Sequence, residues 1–474
     1  MVIMMLYFLS FTLLLTASDT SGREKASQES PPNIIIVFAD DLGYADVSGF
    51  GVDHTPTPHL QQLAAEGAKL TNFYAMPSCS PSRAALLTGC YPQRVGIPWV
   101  VGPEGRPWTE GKSNVGLNPK EETVAELLKK AGYRTACIGK WHLGHHTPHL
   151  PVHHGFDVFF GLPYSNDMWP GSHPVYRPLT LIEGEEVVDT VATLADQAQL
   201  TGRYTRRANE FIAANQDNPF FLYLAHSMPH VPINTTLEIS DTSATALYDA
   251  VIREIDASVG SIMRTLDSLR LADNTLLIFT SDNGPWLVYG NHAGLAAPLR
   301  EGKQTTFEGG MRVPFLARWP DKIPADQQIA SVAGLIDLLP TLVEVSGASS
   351  PSLPIDGQSI WSLLRGQSTQ SPREAHYFFR ENELQAVRKG KWKLHLPHEY
   401  QTVVRAGSDG QRGKTERERV ELSLYNLTDD PGERVNLAPD HPSIVQELRA
   451  LAKDFALEIH DNQRPPGRSP LGSE

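Results

Sequence analysis

Residues 79–89 read Cys-Ser-Pro-Ser-Arg-Ala-Ala-Leu-Leu-Thr-Gly. The Ala/Leu run has helical character, and Pro81 suits a helix's first turn, where a missing N–H costs nothing. Cys79 then sits at a helix N-terminus, where the helix dipole favours an anion, with the fixed positive fork of Arg83 beside it. One reactive side chain is thereby placed where an oxyanion would be held. Alone, a cysteine at such a place reads more simply as a small buried hydrophobe.

Two other pairs, Asp40-Asp41 and Asp282-Asn283, offer only oxygen ligands, which suit Ca²⁺ or Mg²⁺ rather than Zn²⁺. Adjacent carboxylates repel, so two such pairs brought together would need a cation. Taken singly, Asp-Asp at a strand end reads as a turn or N-cap and Asp-Asn-Gly as a hairpin turn. Arg83, Lys140 and Lys303 taken singly read as surface charges. With 17 histidines in the chain, many must be incidental.

Read together, these stretches resemble one family. C-x-P-S-R followed by x-x-L-L-T-G is similar to the signature of the type I sulfatases, arylsulfatase-like members of the alkaline-phosphatase-like superfamily. Asn33 to Gly43, Gly139 to Gly144 (Gly-Lys-Trp-His-Leu-Gly), Thr280 to Gly284 (Thr-Ser-Asp-Asn-Gly) and Glu308 to Pro314 (Glu-Gly-Gly-Met-Arg-Val-Pro) resemble the same family in the same order. The resemblance runs over roughly residues 32–440 and implies a hydrolase of sulfate monoesters, with a sulfated saccharide as the expected substrate. It implies that Cys79 is oxidised to formylglycine by a formylglycine-generating enzyme, and that the hydrated aldehyde is the nucleophile. One hydroxyl would attack sulfur, and loss of the second hydroxyl's proton would expel the sulfate. It further implies one Ca²⁺ per chain, held by Asp40, Asp41, Asp282, Asn283 and modified Cys79.

The remaining roles are implied in the same way. Arg83 would hold the aldehyde side chain and the ligand cluster, and Lys140 a sulfate oxygen. Lys303 would bind sulfate near the leaving oxygen. His142 would take the proton of the formylglycine hydroxyl. His230, in His-x-Pro, would be the acid for the leaving group, and Ser165, in Pro-Tyr-Ser-Asn-Asp, would help to bind sulfate. His226 lies off the pattern and is expected to be structural. His145, His146, His149, His153, His154 and His173 would shape a pocket or be solvated. Two other readings compete: a phosphate or phosphonate ester hydrolase of the same superfamily, and a non-catalytic protein that binds sulfated glycans. Cysteine at position 79 disfavours the first, since phosphate enzymes carry Ser or Thr there. The complete set of candidate residues counts against the second.

These residues need elements to hold them. Ile34-Ile35-Ile36-Val37-Phe38 is a continuous apolar run, the mark of a strand buried on both faces of a parallel sheet. It ends at Asp40-Asp41, the edge where open α/β sheets place ligands. Strands are also predicted over Lys69–Tyr74, Arg134–Ile138, Pro219–Ala225 and Thr275–Thr280. The last three deliver Lys140 and His142, His226 and His230, and Asp282 and Asn283. Helices are predicted over Pro58–Gly67, Glu122–Ala131, Thr201–Gln216, Ala244–Leu271, Val332–Val345 and Ser443–Ile459. Residues 145–190 read as irregular substrate-facing loop. Short alternating segments at His376–Arg380, Gln385–Arg388 and Lys391–His395 read as antiparallel strands, and Leu424–Ala438 resembles the family's C-terminal hairpin and turn.

The expected fold is therefore α/β: a large domain with a mostly parallel mixed sheet sandwiched by helices, plus a smaller C-terminal α+β domain with an antiparallel sheet. The expected divisions are 1–17 signal peptide, 18–32 linker, 33–350 catalytic domain and 351–474 C-terminal domain. Residues 2–17 are uncharged and apolar, which reads as a secretory leader despite the lack of a preceding Lys or Arg. A short membrane anchor is the alternative. The leader implies a secreted, periplasmic or lysosome-like destination. A net charge of −13 argues against nucleic acid as a partner. Three cysteines are no disulfide framework, and Cys90 and Cys137 are expected to be free and buried. Oligomeric state is open.

Overall fold

The central strand, β1 (Asn33–Ala39), is buried along its whole length. Its side chains alternate between two cores. Ile34, Ile36 and Phe38 join one, and Ile35, Val37 and Ala39 the other. This is why the run lacks a polar phase: a strand covered by helices on both sides has no wet face. Each fully buried Ile or Phe contributes roughly 1.5–3 kcal/mol.

The structure is a computed structural model that describes residues 30–51, 55–104, 111 and 113–470. The leader and most of the linker expected before residue 33 lie outside the described residues. The main sheet adds β2 (Ala68–Tyr74), β3 (Arg134–Gly139), β4 (Val158–Gly161), β5 (Leu179–Glu183), β6 (Glu186–Val191), β7 (Phe220–Ala225), β8 (Thr275–Ser281), β9 (Arg312–Arg318), β10 (Gln327–Ile329) and β11 (Ala333–Gly334). Its order is β10-β2-β9-β8-β1-β7-β3-β4-β5-β6, with β11 also on β2. The block β8-β1-β7-β3-β4 is parallel. β9 runs antiparallel between β2 and β8, and β5 and β6 form an antiparallel edge. Helices α1 (Pro58–Ala65), α4 (Leu200–Ala214) and α5 (Ala246–Ser268) cover one face. Helices α2 (Cys79–Thr88), α3 (Val124–Lys130) and α6 (Leu338–Ser346) cover the other.

The smaller C-terminal part carries a four-stranded antiparallel sheet, β12 (His376–Arg380), β13 (Glu383–Lys389), β14 (Trp392–His395) and β17 (Ser423–Asn426). Helix α7 (Pro442–Asp461) packs on it through Leu448 and Ala452. A separate hairpin joins β15 (His398–Arg405) and β16 (Lys414–Val420). The expected fold class is borne out. Pro31–Glu474 forms one compact unit. Among the described residues no helix is long and apolar enough to cross a membrane.

Three expectations are corrected. Residues 145–190 are not simply loop, because they supply β4, β5 and β6. The helix expected from Val332 begins at Leu338. Before it, Asp337 accepts the Gly334 N–H at 2.8 Å and pairs with Arg373, which holds residues 335–337 in a 3₁₀ turn. His149 and His154 are neither solvated nor pocket-forming. Both are buried, His149 against the Leu117 carbonyl at 3.1 Å and His154 against the Trp141 ring.

The C-terminal sheet is tied to the main sheet by buried charge. The Lys393 ammonium lies 3.0 Å from Glu308 Oε1 and 3.0 Å from Glu433 Oε1. Glu433 Oε2 accepts the Glu308 N–H at 2.7 Å, and its Oε1 lies 2.7 Å from His395 Nε2. Such a cluster is costly to break, because an orphaned partner keeps its burial and loses its compensation.

Buried groups also set an acid limit. Burial pushes His226 down to about 4 and His154 down to about 3, the latter helped by His149 and His153. Both are therefore neutral when folded. Between pH 6.5 and 4 the unfolded chain binds more protons, so this stability is complete above pH 6.5 and falls as pH drops. By pH 4 each has lost about 3 kcal/mol of stability. Glu433 is held at about 2, burial being outweighed by Lys393 and His395, so its contribution is lost between pH 4.5 and 2. The thermal midpoint should fall steadily from pH 6.5 to 4, and a flat profile would contradict these buried neutral imidazoles.

Candidate active site

Four parallel strands end side by side. β1 is followed by Asp40-Asp41, β3 by Lys140, β7 by the segment to His230, and β8 by Asp282-Asn283. Helix α2 enters this edge with Cys79 at its first position and a left-handed Gly89 cap at its end. Gly139 has φ 113°, and a Cβ there would sit 1.8 Å from the Ala225 carbonyl oxygen, so the chain can turn Lys140 inward only through glycine. Gly284 is pressed against Gly309 in the same way, which brings the Asp-Asn-Gly turn onto the segment that carries Lys303. Asp41 (φ 65°) and His142 (φ 62°) lie in the left-handed region. Such backbone strain clusters at functional sites.

Cys79 is 2% exposed. Its Sγ lies 3.5 Å from Asp40 Oδ1 and 3.2 Å from the Lys303 ammonium. Lys303 also donates to Asp41 Oδ1 at 2.6 Å. Lys140 pairs with Asp40 Oδ2 and donates to Ser165 Oγ at 3.1 Å. Arg83, fully buried, reaches Asp282 Oδ2 at 3.1 Å and Asp40 Oδ2 at 3.5 Å, and donates to the Lys140 carbonyl at 2.7 Å. His230 Nδ1 donates to the Val231 carbonyl at 2.6 Å, leaving Nε2 3.6 Å from Asp41 Oδ2.

The donor set fits a hard cation. Asp41 Oδ2 and Asn283 Oδ1 are buried oxygens with no hydrogen-bond partner. Asp40, Asp41, Cys79 and His230 bring ligand atoms within 4.8 Å of one another. Asn283 Nδ2 donates to Asp41 Oδ1 at 2.7 Å, which turns the amide oxygen away. The oxygens of Asp282 are already engaged, Oδ1 by the Asp41 N–H at 3.0 Å and Oδ2 by Arg83.

The charges are strongly coupled. Burial alone would raise Asp40, but Lys140, His230, Arg83 and Lys303 together hold it well below the usual carboxylate range. Burial and the neighbouring Asp40 push Asp282 up to about 7. Burial, with Asp282 and Asp40, pushes the Cys79 thiol well up against the pull of Lys140 and Lys303. Burial and then Lys140 and Arg83 push His142 well down, and both its ring nitrogens lack partners.

All eleven candidate site residues singled out in the sequence, Asp40, Asp41, Cys79, Arg83, Lys140, His142, Ser165, His230, Asp282, Asn283 and Lys303, are buried. His226 instead hydrogen-bonds Ser258 at 3.1 Å. Cys90 and Cys137 are buried and unpaired. Sequence reasoning missed Trp286. Its ring lies 4.6 Å from the Lys303 ammonium and 5.5 Å from the His230 ring. Tyr223, 3.4 Å from Arg83, was missed as well. An apolar strand such as β7 hides a polar contact of this kind, and only the position of Trp286 two residues past Gly284 hinted at its place.

Comparison with known proteins bears on this geometry. The family model described as "Sulfatase" matches residues 32–348, that of the C-terminal region of aryl-sulfatase residues 371–467, and that of the N-sulphoglucosamine sulphohydrolase C-terminus residues 302–403. Arylsulfatase A of Bos taurus is 38% identical over 492 residues, covering 96% of this chain and 94% of that protein. N-acetylgalactosamine-6-sulfatase of Mus musculus is 37% identical over 482 residues, covering 97% and 91%. The crystal structure of PsFucS1 sulfatase from Pseudoalteromonas sp. matches with a TM-score of 0.82 at 28% identity over 93% of each chain. A phosphonate monoester hydrolase of Agrobacterium radiobacter shares the fold alone, with a TM-score of 0.58 at 19% identity over 92% of this chain and 99% of that one.

Proposed function

The chain belongs to the sulfatase family and is a sulfuric ester hydrolase, and from that premise we propose that it desulfates a saccharide, using formylglycine made from Cys79 and one bound Ca²⁺. The observation that carries the reading is the cluster of Asp40, Asp41, Cys79 and His230, whose ligand atoms lie within 4.8 Å of one another, with Asp41 Oδ2 buried and unpartnered among them. Asp40, Asp41, Asp282, Asn283 and residue 79 would hold the cation. Calcium would supply positive charge against the sulfate oxygens, and the hydrated aldehyde would supply paired hydroxyls for attack and release.

The chain's own groups do the rest. Three carboxylates, Asp40, Asp41 and Asp282, face three cations, Arg83, Lys140 and Lys303, so the cluster is near neutral by itself. A divalent cation tips it positive, which suits an anionic ester inside an acidic protein. Lys140, steadied by Ser165, and Lys303 bind the sulfate oxygens. His230 has its Nδ1 proton committed to Val231, so the proton it gives to the leaving oxygen comes from Nε2. His142, neutral and unpartnered, accepts the proton released at residue 79. Arg83 fixes Asp40 and Asp282 against each other. Because Cys79 is 2% exposed, a formylglycine-generating enzyme must reach it before the fold closes. The names of the relatives support a sulfated sugar as substrate. The apolar leader read at residues 2–17 supports a secreted, periplasmic or lysosome-like destination.

The test compares 4-nitrophenyl sulfate with 4-nitrophenyl phosphate. The sulfate ester should show at least about a hundredfold greater kcat/KM. Equal or greater turnover of the phosphate ester would overturn the reading in favour of a phosphate or phosphonate hydrolase. Turnover of neither would leave a glycan-binding protein.

A further inference from the structure

The β15–β16 hairpin reaches over the substrate side of the site. Its turn is docked on the loop after Asn283: Gly407 and Gly413 donate to the Val288 carbonyl at 3.0 and 2.8 Å, and Asp409 N–H donates to Asn291 Oδ1 at 2.8 Å. That docking places the Arg412 guanidinium 5.8 Å from the centroid of the Trp286 ring. Because Lys303 lies 4.6 Å from the same centroid, the two cations stand within about 10 Å of each other, measured through one shared ring. Arg412 is exposed, and no carboxylate among the described residues pairs with it. Among the described residues, Arg412 thus stands beside Lys303 without an ion pair, in a chain of net charge −13.

The surroundings suit a sugar. Trp286 and Tyr289, 4.9 Å apart between centroids, offer aromatic faces. Asp167 is half-buried, and its Oδ1 is a buried acceptor without a partner. It follows Asn166, whose Nδ2 donates to the His230 carbonyl at 3.3 Å. Aromatic faces, a carboxylate acceptor and a planar bidentate donor together match a hydroxylated ring that carries an acid.

We infer that Arg412 is a specificity-determining residue that engages a second anionic group of the substrate, a carboxylate or another sulfate, about one sugar ring away from the ester that is cleaved. This rests on the sulfatase reading above. It predicts a preference for multiply charged saccharides over singly sulfated neutral ones.

The test measures inhibition of 4-nitrophenyl sulfate hydrolysis by inorganic sulfate and by a panel of glycosaminoglycan disaccharides carrying one sulfate and one carboxylate. In the wild type the best disaccharide should bind more tightly than sulfate, and added salt should erode that advantage. Arg412→Ala should shrink the ratio of the two inhibition constants at least about fivefold, and Arg412→Lys should retain part of it. A ratio unchanged in Arg412→Ala, or a panel that never outbinds inorganic sulfate, overturns the inference and leaves the sulfatase reading standing. A wild type that hydrolyses no sulfate ester removes both.

Discussion

Replacing Cys79 with alanine should lower turnover of 4-nitrophenyl sulfate by about four orders of magnitude or more, the scale seen when a covalent nucleophile is deleted. The fold should survive. Cys79 is a small side chain at the first position of α2, and the helix keeps its proline start and its Gly89 cap. What goes is the side chain seated between Asp40 and Lys303, and Ser82, one turn on, cannot replace it, being bonded to the Asp282 carbonyl and to the Met76 backbone. Cys79→Ser separates attack from release. A serine hydroxyl placed between Asp40 and Lys303 can take the sulfuryl group, yet it has no second hydroxyl to drive that group off again. The variant should therefore turn over once and accumulate sulfate esterified to residue 79, visible as a mass gain of one sulfuryl group on that peptide. Continued turnover by Cys79→Ser near the wild-type rate would refute the role assigned to residue 79.

Stripping divalent cation should have the next largest effect. Without it, Asp41 Oδ2 and Asn283 Oδ1 are buried acceptors with nothing to accept from. Each such group costs about 1–3 kcal/mol when left unsatisfied. Protein treated with EGTA and shown to be metal-free should lose at least about a hundredfold in kcat, and its thermal midpoint should fall. Ca²⁺ at a hundred times its dissociation constant should restore about 2.7 kcal/mol of stability. Asn283→Leu keeps the volume and removes the amide oxygen. It should weaken the Ca²⁺-dependent rise in midpoint, and Asp41→Asn should do the same. Full activity in verified metal-free protein, or a midpoint indifferent to Ca²⁺ in the wild type, would contradict the assignment of these residues.

How much of this could be read from the chain depended on where each element sits. β1, β3, β7 and β8 were legible because parallel strands buried on both faces leave unbroken apolar runs, each ending in the polar residues that line the site. β9 was not. It runs antiparallel in the middle of the sheet, and Pro314 breaks its pattern at a shift in register between Val313 and Phe315. β6 is an edge strand whose first five residues are exposed, so no alternation marks it. The β15–β16 hairpin escaped for a related reason. β16 reads Lys-Thr-Glu-Arg-Glu-Arg-Val, with only Val420 buried, and nothing in that run points to a strand whose turn docks beside Trp286. The site residues were legible through their motifs, whereas Trp286 and the Glu308–Lys393–Glu433 cluster join segments too distant in sequence for any local pattern to connect.

The central claim concerns one atom on one residue: in the working enzyme, position 79 no longer carries sulfur. Mass spectrometry of the tryptic peptide containing residue 79, taken from protein made in its native host and active on 4-nitrophenyl sulfate, tests this most directly. The account predicts a peptide in which the thiol is replaced by an aldehyde, and which reacts with a hydrazide probe. An intact, alkylatable Cys79 throughout a preparation that turns over sulfate esters would contradict it.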